Sequence, residues 1–139
     1  MGSHKIETLH HTGMSFRTEY DGGKVVFMDA KPEVGGQGLG PSPKQLLLQA
    51  LAGCTGMDVV SLLKKMRVEY SDFSIEVEGH LTEEHPITFH TIEMVYKIKT
   101  AEEFRPKFEK AVSLSQDRYC GISAMLGKAA KLKKTIIYL

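Results

Sequence analysis

The sequence predicts an α+β domain, and three observations carry that prediction. One long apolar run, Leu46–Leu63, has the length and composition of a single helix. Short segments of alternating apolar and polar residues stand in pairs on either side of it, separated by glycine-rich or charged turns. The resulting order is two strands, a long helix, two strands, a helix, a short helical piece and a strand. It lacks the regular strand–helix alternation of a doubly wound parallel sheet. With 139 residues, one domain covering 1–139 is expected, large enough to bury a core without metal or disulfide staples.

Each element follows from local chemistry. Residues 1–14 contain no apolar run of signal-peptide length and read as a loosely held lead-in. Phe16–Glu19 and Lys24–Met28 flank Tyr20-Asp21-Gly22-Gly23, a hairpin signal with glycines where positive φ is needed. Pro32–Gly40 is a glycine-rich loop. Pro41-Ser42-Pro43 then opens the long helix, with Ser42 as N-cap and Pro43 in the first turn. The helix is expected to reach about Arg67, where Lys64, Lys65 and Arg67 suit the terminal carbonyls.

Phe73, Ile75, Val77 and Leu81 alternate with polar residues as a half-buried strand does, and Glu83-Glu84-His85-Pro86 makes the turn. Ile92, Met94, Tyr96 and Ile98 share one face of the next strand. Ile87 and Phe89 are out of phase with them, which predicts a bulge near His90–Thr91. Thr100 to Glu103 has the capping-box form, followed by Phe104, Phe108, Ala111, Val112 and Ser115 at helical spacing, with Pro106 delaying the start. Cys120–Lys128 reads as a short helix and Lys133–Leu139 as the last strand.

A formal charge of +1 gives no long-range field for nucleic acid or anionic lipid, so neither is an expected partner. The apolar run is near the lower length limit for a membrane span, but Gln49, Asp58 and Ser61 interrupt it. A buried helix in a soluble, cytoplasmic domain fits better. A helix apolar nearly all round needs cover on every side, and one small chain has difficulty supplying it, which points to a homodimer. Gly35-x-x-x-x-Gly40 has P-loop spacing, but Pro41 replaces the lysine and lacks a backbone donor, so nucleotide binding is rejected. The histidines show no ligand spacing. His80, His85 and His90 read as solvated or locally hydrogen-bonded, and no metal site is expected. Lys131, Lys133 and Lys134 read as a solvated face.

The two cysteines, Cys54 and Cys120, are too far apart for a CxxC pair and too few for a disulfide scaffold. Gly53 and Gly56 bracket Cys54 inside the helix, each costing about 1 kcal/mol relative to alanine. Two readings stand: close packing beside an inert cysteine, or a path cleared to its sulfur. Cys120 follows Asp117-Arg118-Tyr119 at the start of a short helix, where a helix N-terminus and a nearby arginine both favour a thiolate. Cys54 lies too deep in its helix for that help, so activation would need a cation brought close in space. Asp58, one turn later, would oppose a thiolate unless it held such a cation.

Taken together, several segments resemble the OsmC/Ohr superfamily, named for osmotically inducible protein C and organic hydroperoxide resistance protein. They are Asp29-Ala30-Lys31-Pro32-Glu33-Val34-Gly35-Gly36, Gly40-Pro41-Ser42-Pro43, Leu46-Leu47-Leu48 and Ala50-Leu51-Ala52-Gly53-Cys54-Thr55. Leu114-Ser115-Gln116 and Tyr119-Cys120-x-x-Ser123 match the second cysteine region, so the resemblance covers about Phe16 to Leu139.

The resemblance implies an intertwined homodimer with long central helices packed against antiparallel sheets and active sites at the subunit interface. It also implies thiol-dependent reduction of organic hydroperoxides and, in some members, hydrogen peroxide. By that analogy Cys54 is the peroxidatic thiol and Cys120 resolves its sulfenic acid as a disulfide, which thiols or dithiols such as lipoyl groups then reduce. No cofactor is implied. The family's activating glutamate has Lys44 and Gln45 as its nearest positions here, and its arginine is best matched by Arg17. Gly121 follows Cys120 where the best-known peroxidases have proline. These departures describe a divergent branch. The other reading they leave is a non-catalytic OsmC-like protein that binds a hydrophobic small molecule in the interfacial pocket.

Overall fold

The structure, a computed structural model, describes residues 2–139 and is α+β, with two three-stranded sheets and one long helix. By packing, the chain resolves into two compact units, one ending at Leu47 and one running from Leu48 to Leu139.

In the first unit, β1 (Thr8–His10), β2 (Phe16–Tyr20) and β3 (Lys24–Met28) form an antiparallel sheet in that order. The expected hairpin is present, with Gly22 and Gly23 at φ 82° and 78° and the Gly23 N–H bonded to the Tyr20 carbonyl. β1 departs from the loosely held lead-in expected over 1–14: Thr8 pairs with Thr18, and their hydroxyls are 2.7 Å apart. Three residues with no apolar face of their own were not recognisable as a strand, because the pairing partner supplies the order. Met1 lies outside the described residues. Just before the glycine-rich loop, the Asp29 carboxylate accepts backbone N–H bonds from Ala30 and, within the loop, from Gln37 and Leu39. Chiefly the bond from Gln37 holds its carboxyl below the usual range.

The long helix, α1, spans Pro43–Lys65. Ser42 Oγ accepts the Gln45 N–H at 3.4 Å, while Gln45 Oε1 accepts the Ser42 N–H at 2.9 Å, a reciprocal capping box. The helix stops two residues before the expected Arg67. Arg67 takes a left-handed φ of 58°, and the Val68 N–H bonds back to the Leu63 carbonyl to close the end.

The second unit is built on β4 (Tyr70–Leu81), β5 (Phe89–Thr100) and β6 (Lys131–Tyr138). β4 and β5 are antiparallel, with the expected irregularity where His80↔Thr91 gives way to Leu81↔Phe89. β6 departs from the antiparallel expectation and runs parallel to β5, from Thr91↔Lys131 to Ile98↔Tyr138. The reason is the connection: α2 (Arg105–Leu114), a π-helical turn (Ser115–Tyr119) and α3 (Gly121–Leu126) carry the chain back to the start of β5. A helical crossover of that length makes a parallel pair possible. The Thr100–Glu103 capping box does not form. Thr100 is still in β5, where its hydroxyl donates to the Glu69 carbonyl, and α2 starts one residue before Pro106.

The core of this unit joins three apolar stripes, from α1 (Leu51, Val59, Leu63), β5 (Ile92, Met94, Tyr96, Ile98) and α2 (Phe108, Ala111, Val112). Within this chain α1 buries only one stripe at four-residue spacing, Leu51, Thr55, Val59 and Leu63. Met57 (75% exposed), Val60 and Leu47 remain open to solvent, so the all-round burial expected of this helix is not supplied by the described residues. The helix is also long and apolar enough to span a membrane by length and composition, a test that core helices pass as well.

Candidate functional site

Each of the three buried stripes in the second unit contains one hydroxyl among its hydrocarbons: Thr55 on α1, Tyr96 on β5 and Ser115 at the end of α2. Burying a hydroxyl without a partner costs about 1–3 kcal/mol in proteins, so these must meet. Thr55 Oγ1 lies 2.8 Å from both the Tyr96 hydroxyl and Ser115 Oγ. Gln116 Nε2 donates to the Tyr96 hydroxyl, and Ser115 Oγ donates to Asp58 Oδ2 at 2.9 Å. The π-helical turn is what lets Ser115 and Gln116 face α1 while Arg118 and Tyr119 face outward.

Beside this network the two cysteines come together. Cys54 and Asp58, one turn apart on α1, and Cys120, the N-cap of α3, place two sulfurs and a carboxylate oxygen within 4.8 Å of one another. Both cysteines are free thiols; Cys54 is partly accessible, whereas Cys120 is 3% exposed. Cys120 Sγ accepts the Ser123 N–H at 3.3 Å, so it caps the short helix through its sulfur.

Burial pushes the Cys54 thiol above its ordinary range, and the adjacent Cys120 and the Asp58 charge push the same way; the Ile122 backbone N–H pulls against them. Among the described residues no cation contributes to that balance. Asp58 holds no arginine: among the described residues its side-chain partner is Ser115 and it forms no ion pair. Arg118 is exposed, and its guanidinium lies 6.0 Å from the centre of the Tyr119 ring.

Arg17, Lys44 and Gln45, the matches to the family's activating pair, lie in the first unit. Arg17, on β2, pairs with Glu19 at 3.3 Å, Gln45 is occupied in the capping box, and Lys44 is exposed. The two helical glycines separate the readings left open for them. A Cβ on Gly56 would come 3.3 Å from Ile75 Cδ1 on β4, so Gly56 serves close packing. A Cβ on Gly53 would meet nothing within 4 Å beyond its own helix neighbourhood among the described residues, so Gly53 is not required by close packing.

One further cluster could hold a metal. Glu78, His80 and Glu93, on β4 and β5, place one ligand atom each within 4.8 Å of one another, and His80 Nε2 is 2.6 Å from Glu93 Oε2. His80 is thus locally hydrogen-bonded, as expected.

The hydroxyl network was not singled out from sequence. Its signal was present: one polar residue inside each otherwise apolar stripe, at Thr55, Tyr96 and Ser115. A buried polar group implies a buried partner.

Comparison with known proteins agrees with this architecture. Residues 36–134 match the family model described as OsmC-like protein. Protein YhfA of Escherichia coli (strain K12) is 31% identical over 121 residues, covering 86% of this chain and 87% of the relative. A hypothetical protein from Aquifex aeolicus VF5, solved as a crystal structure, superposes with a TM-score of 0.85 at 28% identity, over 100% of this chain and 98% of that one. The organic hydroperoxide resistance protein OhrB of Bacillus subtilis shares the fold, with a TM-score of 0.64 at 18% identity, over 96% of this chain and 98% of that one.

Proposed function

The chain belongs to the OsmC-like protein family, and from that premise we propose that it is a thiol-dependent peroxidase that reduces organic hydroperoxides through Cys54 and Cys120. The observation that carries the reading is the approach of two free thiols from distant parts of the chain, one reachable and one buried. That asymmetry suits an attacking and a resolving sulfur. Solved organic hydroperoxide resistance proteins with this fold support the substrate class.

In this mechanism Cys54, as thiolate, attacks the distal oxygen of the hydroperoxide. The O–O bond breaks, the alkoxide leaves as alcohol with the proton the thiol gave up, and Cys54 becomes a sulfenic acid. The Cys120 thiol then attacks that sulfur, an S–S bond forms and water leaves. Two electrons from an external thiol or dithiol, such as a dihydrolipoyl group, restore both thiols. The step needs no metal or organic cofactor. The reading includes a cytoplasmic homodimer whose partner covers the apolar face of α1 left open at Met57 and Val60.

The raised Cys54 thiol supports the rival reading, an OsmC-like protein that binds a hydrophobic small molecule and whose cysteines only pack. Stopped-flow reaction of the reduced protein with cumene hydroperoxide, beside Cys54→Ser, separates the two. Consumption by the native chain well above that by the serine variant is expected. Equal rates would sink the peroxidase.

A further inference from the structure

The Cys54–Asp58–Cys120 group has a property that peroxide chemistry does not use: three potential anionic ligands converge with no cation among them. We infer that the reduced site binds a divalent thiophilic cation, zinc above all, through Cys54 Sγ, Cys120 Sγ and one Asp58 carboxylate oxygen. Tetrahedral zinc holds thiolates about 3.8 Å apart and a thiolate about 3.5 Å from a carboxylate oxygen, given the usual bond lengths. All three ligand atoms already lie within 4.8 Å of one another, so modest side-chain rotation suffices. Cys54 and Asp58 are four residues apart on one rigid helix, the spacing that aims two ligands at one ion.

The surroundings are built as outer shells of metal sites are. Ser115 Oγ donates to Asp58 Oδ2 at 2.9 Å and is itself fixed by Thr55 at 2.8 Å. Ser123, whose N–H donates to Cys120 Sγ, carries a buried hydroxyl with no partner among the described residues. Binding replaces two thiol protons: the two cysteines lose them to solvent, Asp58 enters as carboxylate, and no electron moves. Both sulfurs are then masked, so zinc opposes oxidation of the pair. The binding stands on geometry alone; its effect on peroxide turnover rests on the reading above.

The test is competition between the reduced protein and a chromophoric zinc chelator, without peroxide, together with proton release in weak buffer. One zinc per chain and about two protons are expected. Affinity should fall about tenfold or more in Asp58→Asn, in Cys54→Ser and in Cys120→Ser, and the disulfide form should not compete. Cobalt in place of zinc should show a thiolate charge-transfer band that either serine variant weakens. Circular dichroism of each variant identifies any that fails to fold, and the disulfide form of the native chain tests the same ligands without substitution. Zinc that binds equally to reduced and disulfide chains, or not at all, overturns the inference while leaving peroxide consumption to be judged separately.

Discussion

Thr55 and Ser115 share a hydrogen bond of 2.8 Å although 60 positions separate them in the chain. The bond locks the end of α2 against α1, and the same turn carries Cys120 to Cys54. Stability and site geometry therefore depend on one buried polar network. In such a network the loss of one member leaves others unsatisfied.

Thr55→Val keeps the shape of the side chain and removes the hydroxyl that Tyr96 and Ser115 both contact. Two buried hydroxyls then lose a partner, with a cost of about 1–3 kcal/mol. Urea denaturation should show a lower midpoint with an unchanged slope.

Reaction of the reduced protein with one equivalent of hydroperoxide should yield an intramolecular Cys54–Cys120 disulfide, seen in intact mass as the loss of two hydrogens. In Cys120→Ser the sulfenic acid on Cys54 should persist and be captured by dimedone. A disulfide joining two chains in place of the internal one would contradict the pairing.

The raised Cys54 thiol has a definite sign. Its neutral form is favoured in the folded state, so thiolate is scarce at neutral pH and reactivity toward iodoacetamide should climb as pH rises beyond the ordinary thiol range. Its contribution to stability is complete below the unfolded-state thiol pKa and is lost as pH rises through the folded one. Burial is the main cause and Asp58 adds to it, so Asp58→Asn should shift the alkylation profile to lower pH. A profile at or below that of a free thiol in the native protein would reveal a cation beside Cys54.

Gly53→Ala and Gly56→Ala should differ. Both gain helix propensity, about 1 kcal/mol. A Cβ at Gly53 meets nothing within 4 Å among the described residues, so thermal stability should rise. At Gly56 the new carbon comes 3.3 Å from Ile75 Cδ1, so part of that gain should be lost. A destabilised Gly53→Ala would mean that a second chain covers this position.

Ser42→Ala removes the acceptor of the capping box that starts α1. The expected cost is about 1 kcal/mol, measured by the urea midpoint.

The sequence by itself determined the elements and their faces. Alternation placed Ile92, Met94, Tyr96 and Ile98 on one buried face, and the phase slip at Phe89 located the bulge. Gly22-Gly23 marked the hairpin and Pro106 the late start of α2. These features are local, set by side-chain period and backbone freedom within a few residues. Local chemistry also misled where a partner decides the outcome. Thr100 looked like a helix cap but remains in a strand, and Thr8–His10 looked unstructured until β2 paired with it. Only the tertiary structure made β6 parallel, because direction depends on where a helical crossover returns the chain. It alone brought Cys120 beside Cys54 and Asp58, a distance along the chain that no periodicity encodes. It also gave the two helical glycines separate tasks, since a glycine records that a side chain is absent and not what occupies the space.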